Sequence, residues 1–219
     1  MRHSTTARGI TLLELMIVVA IIGIMGAISV VKMVEVMPAN RTRAAARKVL
    51  MDLRSAPSLA ARTNLALTVT FDLNDANCPP TSGGLNQRAG YTGRTTNPAT
   101  GEIREYFKTC LGREFGGVGI AAVGPGGPLV CAGTEVATAG AAAASACTLC
   151  GAGAPVVLTY FPTGELAVAA PFSLTLVPER DVVGGPVIAH RSMAIGVAPL
   201  TGRARIYQTN VAGTGWECP

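Results

Sequence analysis

Four groups of residues in this 219-residue chain have types and spacings that could carry chemistry. Six cysteines (Cys78, Cys110, Cys131, Cys147, Cys150 and Cys218) could form disulfides, ligate a metal or cycle between thiol and disulfide. Asp72 and Asp75 sit with Asn74 and Asn77 in a polar run with some likeness to a calcium loop. Arg203, Arg205 and Tyr207 recur at a spacing of two, so in a strand they share one face, with Ala204 and Ile206 on the other. Two guanidiniums could grip phosphates there and the ring could stack on a base; the alternative is a solvated outer face or a contact between subunits. The fourth group is a single residue, Glu14, the only ionisable side chain between Ile10 and Val31.

The sequence argues against catalysis. His190 is the only histidine beyond the first few residues, and neither G-x-S-x-G nor a phosphate loop with G-K-[ST] occurs. Asp72-Leu73-Asn74-Asp75-Ala76-Asn77 lacks the glycine and distal glutamate of a calcium loop, so turn chemistry is the expectation. Cys147-x-x-Cys150 lies among Gly and Ala, without the βαβ setting of a redox motif. An even number of cysteines, all beyond the apolar run, suits structural disulfides in an oxidising compartment, and about 15 pairings stay open. No enzyme activity, cofactor or metal is expected.

The surroundings of Glu14 are the strongest signal. As a helix, Ile10 to Val31 would rise about 33 Å, close to the ~30 Å hydrocarbon core of a bilayer. The run is too long for the apolar core of an ordinary secretory signal, although Ala27-Ile28-Ser29 could pass as a cleavage site. A carboxylate at membrane depth is costly and needs a partner. Cutting the chain between Gly9 and Ile10 would create one, an α-amino group able to pair with Glu14 of a neighbouring copy. Neither an ordinary signal nor an uncleaved anchor accounts for Glu14.

Arg8-Gly9-Ile10-Thr11-Leu12-Leu13-Glu14-Leu15 resembles the class III signal of type IV pilins and type II secretion pseudopilins, with Gly9 and Glu14 at its two most specific positions. Ile10 stands where that family usually has phenylalanine. The resemblance implies that a prepilin peptidase cuts after Gly9 and methylates Ile10. It also implies that Glu14 serves subunit assembly, and that the partners are other pilins or pseudopilins and an inner-membrane assembly platform. The implied location is the bacterial inner membrane, single-pass with a periplasmic C-terminal domain, and afterwards the pilus or pseudopilus. One count opposes that orientation: Lys32, Arg41, Arg43, Arg47 and Lys48 follow the apolar run, against Arg2 and Arg8 ahead of it.

The elements that must position these groups follow in order: a leader at 1–9, a membrane helix at 10–31, an amphipathic helix at 32–64 and a β-rich domain at 65–219. Ala46, Val49, Leu50, Leu53, Pro57 and Ala60 form a helical stripe, with a kink expected at Pro38 and a bend or restart near Ser55 ahead of Pro57. Strands are expected at Leu65–Asp72, Glu102–Cys110, Val156–Phe161, Phe172–Val177, Val187–Val197 and Arg203–Thr209, with Ala198–Gly202 as the last turn. Turn-rich or Gly/Ala-rich composition marks 74–101 and 112–155 as inserts. The fold class is therefore α+β, a long N-terminal helix packed on an antiparallel β-sheet domain. The run Arg54 to Thr70, the Tyr160-Phe161-Pro162-Thr163-Gly164 turn and the Thr201-Gly202-Arg203-Ala204-Arg205-Ile206 ending resemble FimT/FimU-type minor pilins and H-type minor pseudopilins. Through Gly202-Arg203-Ala204-Arg205 that resemblance implies DNA as a further partner. If the leader is removed, native protein will begin at Ile10 with an N-methyl group by intact-mass analysis; a start at Val30 would mean an ordinary secretory signal.

Overall fold

In a computed structural model, the structure describes residues 11–80, 88–125, 136–137, 155–167, 172–178, 192–198, 201–209 and 215–217. Of these, the side chains at 28–35, 121–125, 136–137, 172, 209 and 215–217 are not described. The elements run α1 (Leu12–Thr63), β1 (Leu67–Asp72), β2 (Gly90–Thr96), β3 (Ile103–Cys110), α2 (Leu111–Phe115), β4 (Val118–Pro125) and β5 (Val136–Ala137). They continue with β6 (Val156–Tyr160), β7 (Phe172–Pro178), β8 (Met193–Val197), β9 (Ala204–Thr209) and β10 (Gly215–Glu217). The chain divides into two compact units at Met37/Pro38.

The apolar run and the amphipathic stretch are assigned to one helix, with Pro38 and Pro57 inside it and no restart near Ser55. A proline in a helix interior costs about 3 kcal/mol. Burial outweighs that cost around Pro57, where Leu53, Ala56 and Ala60 are all buried. Hydroxyls also satisfy local carbonyls: Thr42 donates to Pro38 O (3.1 Å), Ser55 to Asp52 O (2.8 Å) and Ser58 to Ser55 O (2.8 Å). The buried stripe is Thr42, Ala45, Ala46, Val49, Leu50, Leu53, Ala56 and Ala60, close to the stripe read from the sequence. Its alanines keep the helix surface low, so strands can approach closely. Asn64, at φ +52°, ends the helix in the left-handed conformation that asparagine tolerates.

Two antiparallel sheets share a core with this stripe rather than the one sheet expected. Their orders are β3-β2-β1-β6 and β4-β7-β8-β9-β10-β5. Leu67, Val69 and Phe71 of β1, Leu158 and Tyr160 of β6, Leu174 and Leu176 of β7, and Ile195 and Val197 of β8 fill that core. The segment 74–101 is not a surface loop throughout, because β2 within it lies between β1 and β3 with Tyr91, Thr92 and Thr95 buried. Nor is 112–155 wholly an insert, since Val118–Pro125 is a strand paired to β7. Arg203–Thr209 is not the last strand either, because β10 follows and pairs with it. Most of the Gly/Ala-rich stretch at 126–154, and residues 187–191 of the expected Val187–Val197 strand, lie outside the described residues.

Composition hid β2 because its glycines look like turn signals. Gly93 in fact faces Phe107 across the β2–β3 pair, beside a register shift at Gly93/Arg94. A Cβ at Gly93 would collide with the Phe107 ring, so the missing side chain makes room for a cross-strand aromatic. Tyr91 stacks near both Phe71 (5.6 Å) and Phe107 (6.1 Å). Its hydroxyl donates to Asp52 Oδ2 at 2.6 Å, and Lys48 donates to both oxygens of Asp52 at 2.9 Å. Burial first, and Asp52 second, hold the Tyr91 hydroxyl well above its ordinary pKa. A disulfide joins Cys78 to Cys110, with Cα atoms 5.4 Å apart, fastening the loop after β1 to the end of β3. Cys131, Cys147, Cys150 and Cys218 lie outside the described residues.

Gly93→Ala is expected to lower stability by about 1–3 kcal/mol through overpacking. Adding Phe107→Ala should make the double variant more stable than the sum of the two single losses, measured by thermal unfolding. Strictly additive losses would mean that the ring does not need the space.

Candidate functional site

At the start of α1 the described residues begin with Thr11, whose side chain caps the helix. Its Oγ1 accepts the Glu14 N–H at 3.2 Å and its carbonyl accepts the Leu15 N–H at 3.2 Å. Thr11-Leu12-Leu13-Glu14 thus has the spacing of a capping box, with Glu14 at the third helical position where a negative charge complements the helix dipole. The sequence reading missed this cap, although the T-x-x-E spacing was there to find. Every residue from Thr11 to Ala27 is exposed, Leu12 by 78% and Ile22 by 63%. Glu14 makes no ion pair among the described residues. Gly9 and Ile10, the expected cleavage and methylation positions, lie outside the described residues.

Residues 5–30 match the family model of the prokaryotic N-terminal methylation motif. The chain carries a type IV pilin-like leader. This motif accounts for the basic start, the small residue before the apolar run and the carboxylate within it. No curated protein and no solved structure matches the chain. Among the described residues, no helix is long and apolar enough to cross a membrane. The described side chains of the expected span stop at Ala27, so Ile10 and residues 28–31 of it fall outside them.

The second candidate lies on the β8–β9 hairpin. Its turn closes through Ala198 N–H to Arg203 O (2.9 Å) and Gly202 N–H to Ala198 O (3.1 Å), as the expected Ala198–Gly202 turn requires. Gly202 has φ +60° and packs on Tyr160, whose Cε1 would lie 2.8 Å from a Cβ at this position. Arg203 and Arg205 are exposed on either side of buried Ala204. Tyr207 does not join them. It is 1% exposed and packs with Ala194, its partner across β8–β9, which corrects the expectation of a solvent-facing ring able to stack on a base. Alternation alone did not decide exposure there, because the large ring packs on small Ala194 across the strand pair. Burial raises the Tyr207 hydroxyl above its ordinary pKa, and Arg205 offsets part of that rise.

The structure adds a third arginine. A cavity of about 260 Å³ is lined by Arg54, Pro57, Thr201, Gly202, Arg203 and Arg205, with Ala204 behind them. Arg54 comes from α1, and its Nε donates to Ala204 O at 3.4 Å. Among the described residues, no acidic one lines this cavity. None of the three guanidiniums is in an ion pair among the described residues. Three cations around a small cleft give it a positive potential, the kind of surroundings that favours an anion. Sequence reasoning did not bring Arg54 to this group, because 150 positions separate it from Ala204.

The other expected groups behave as structural parts. Asp72 Oδ1 accepts the Asn74 N–H (2.7 Å) and Asp75 Oδ1 accepts the Asn77 N–H (2.9 Å), so both aspartates build turns. Among the described residues, no cluster of three His, Cys, Asp or Glu side chains could hold a metal ion. In the basic stretch of α1, Arg41 donates to Gly116 O (3.0 Å) and Lys48 pairs with Asp52, while Arg43 and Arg47 are exposed. His190 lies outside the described residues.

Proposed function

We propose that this chain is a minor pilin, a structural subunit that helps initiate or tip a type IV pilus. The observation that carries this reading is the methylation motif at residues 5–30 with Glu14 inside it. On this reading a prepilin peptidase cuts after Gly9 and methylates Ile10. The helix from Ile10 to Val31 anchors the chain in the bacterial inner membrane, with the β domain in the periplasm. An assembly platform then transfers the subunit to the filament, where Glu14 pairs with the terminal amine of a neighbour. The role is structural rather than enzymatic. An H-type minor pseudopilin of a type II secretion system would use the same anchor and the same pairing. The operon decides between them, pilus components against secretion components.

Glu14→Ala should insert into membranes as well as the wild type or better, because it removes a charge at membrane depth. Incorporation into filaments, measured by immunoblot of sheared fibres, should fall sharply. Normal incorporation would remove the pairing from the account.

A second role is favoured by the arginine cleft: binding DNA through its phosphates. Arg54, Arg203 and Arg205 supply the charge, and no buried ring is needed. The full chain in detergent should bind DNA with little sequence preference, and affinity should fall as salt rises. Changing all three arginines to Gln should lower the slope of log K against log salt by up to about 0.9 per lost phosphate contact on duplex DNA. Arg43→Gln with Arg47→Gln is the control on the exposed helix face. If the control loses binding and the cleft variant keeps it, the cleft is not the site.

A further inference from the structure

A second cavity, of about 360 Å³, opens where the end of α1 meets β2 and β3. It exists because β3 is an edge strand, and the register sets Arg104 of that edge opposite Thr95 of β2. Thr95 is 1% exposed and contributes to the lining, yet its Oγ1 has no hydrogen-bond partner among the described residues. A buried hydroxyl without a partner is destabilising, so its persistence calls for something that it bonds.

The groups around Thr95 define what that is. Arg62, at the end of α1, is exposed and makes no ion pair among the described residues. Arg104 and Glu102 pair at 3.1 Å and cancel each other, leaving the cavity one net positive charge. Asn97 commits its Oδ1 to the Ala99 N–H (2.9 Å), so its NH₂ is what it has left to offer. Donors therefore outnumber acceptors. Half-buried Tyr106 and Leu65 add an apolar wall.

We propose that this cavity binds an acidic sugar, a single carboxylate carried on a hydroxylated ring. Arg62 takes the carboxylate, Thr95 and Asn97 take ring oxygens, and Tyr106 covers the ring's C–H face. With one net positive charge the cavity suits a monoanion rather than dianions or polyphosphates, which separates this site from the arginine cleft. The cavity volume lies within the ~300–1,000 Å³ range of small-molecule sites.

The test uses the full chain in detergent, titrated with D-glucuronate, D-glucose, acetate and inorganic phosphate by calorimetry. Glucuronate should bind saturably and at least about tenfold more tightly than the other three, because only it offers both a carboxylate for Arg62 and a hydroxylated ring. Arg62→Gln, a surface change, should weaken glucuronate by roughly tenfold. Thr95→Val should also weaken it while leaving the melting temperature unchanged or raised, because it removes an unpartnered hydroxyl. Glucuronate binding no tighter than glucose, acetate or phosphate, or indifferent to Arg62→Gln, would overturn the proposal. So would a Thr95→Val chain less stable than wild type, which would mean that the hydroxyl is already satisfied.

Discussion

One helix has to serve two different surroundings, and the rest of the chain is arranged around that constraint. From Thr11 to Ala27 every side chain is exposed, and all but a few are apolar. From Thr42 to Ala60 the same helix, α1, buries a narrow stripe of small and branched residues. The first stretch presents a long exposed apolar surface, the kind that marks an interaction site. The second is matched to the strands. Small residues in that stripe let two sheets share a core with a single helix, which one broad layer of strands would not require.

Sheet topology then accounts for the arginine cleft. β8 and β9 are joined by a turn that needs the left-handed glycine Gly202, and the turn packs on Tyr160 of the other sheet. Seating it there brings Arg203 and Arg205 beside Arg54, which is itself held by the Ala204 carbonyl. Burial of the domain core thus pre-positions three cations that are far apart in sequence. Pre-positioning matters because fewer flexible side chains must be ordered when an anion arrives.

Much of this was legible in the sequence, and the failures have physical reasons. The helical stripe from Ala46 to Ala60 was readable because 3.6-residue periodicity is a local property. So was the turn at Ala198–Gly202, where the glycine is set by backbone geometry. β2 was not readable, because Gly93 reports on Phe107 of another strand rather than on a turn. Pro57 misled for a related reason: propensity is local, while the burial that overrides it comes from distant residues. Tyr207 had the right alternation and the wrong surroundings, since the ring packs on Ala194 across the strand pair. Arg54 carried no local sign of its role. Thr11 did, as the first residue of a T-x-x-E cap.

The central claim is that Glu14 holds each subunit in a filament by meeting the N-terminal amine of its neighbour. The cap by Thr11 explains why the carboxylate is tolerated at a helix start, but by itself it does not explain why an acid is needed there. The most direct measurement is the distance between these groups in assembled filaments, by solid-state NMR with ¹⁵N at Ile10 and ¹³C at the Glu14 carboxylate. Diluting labelled subunits among unlabelled ones separates contacts within a chain from contacts between chains. The account predicts a contact between subunits, with nitrogen and oxygen within about 4 Å of each other, that disappears on dilution. A Glu14 carboxylate with no neighbouring amine in the filament, or one paired only within its own chain, would contradict it.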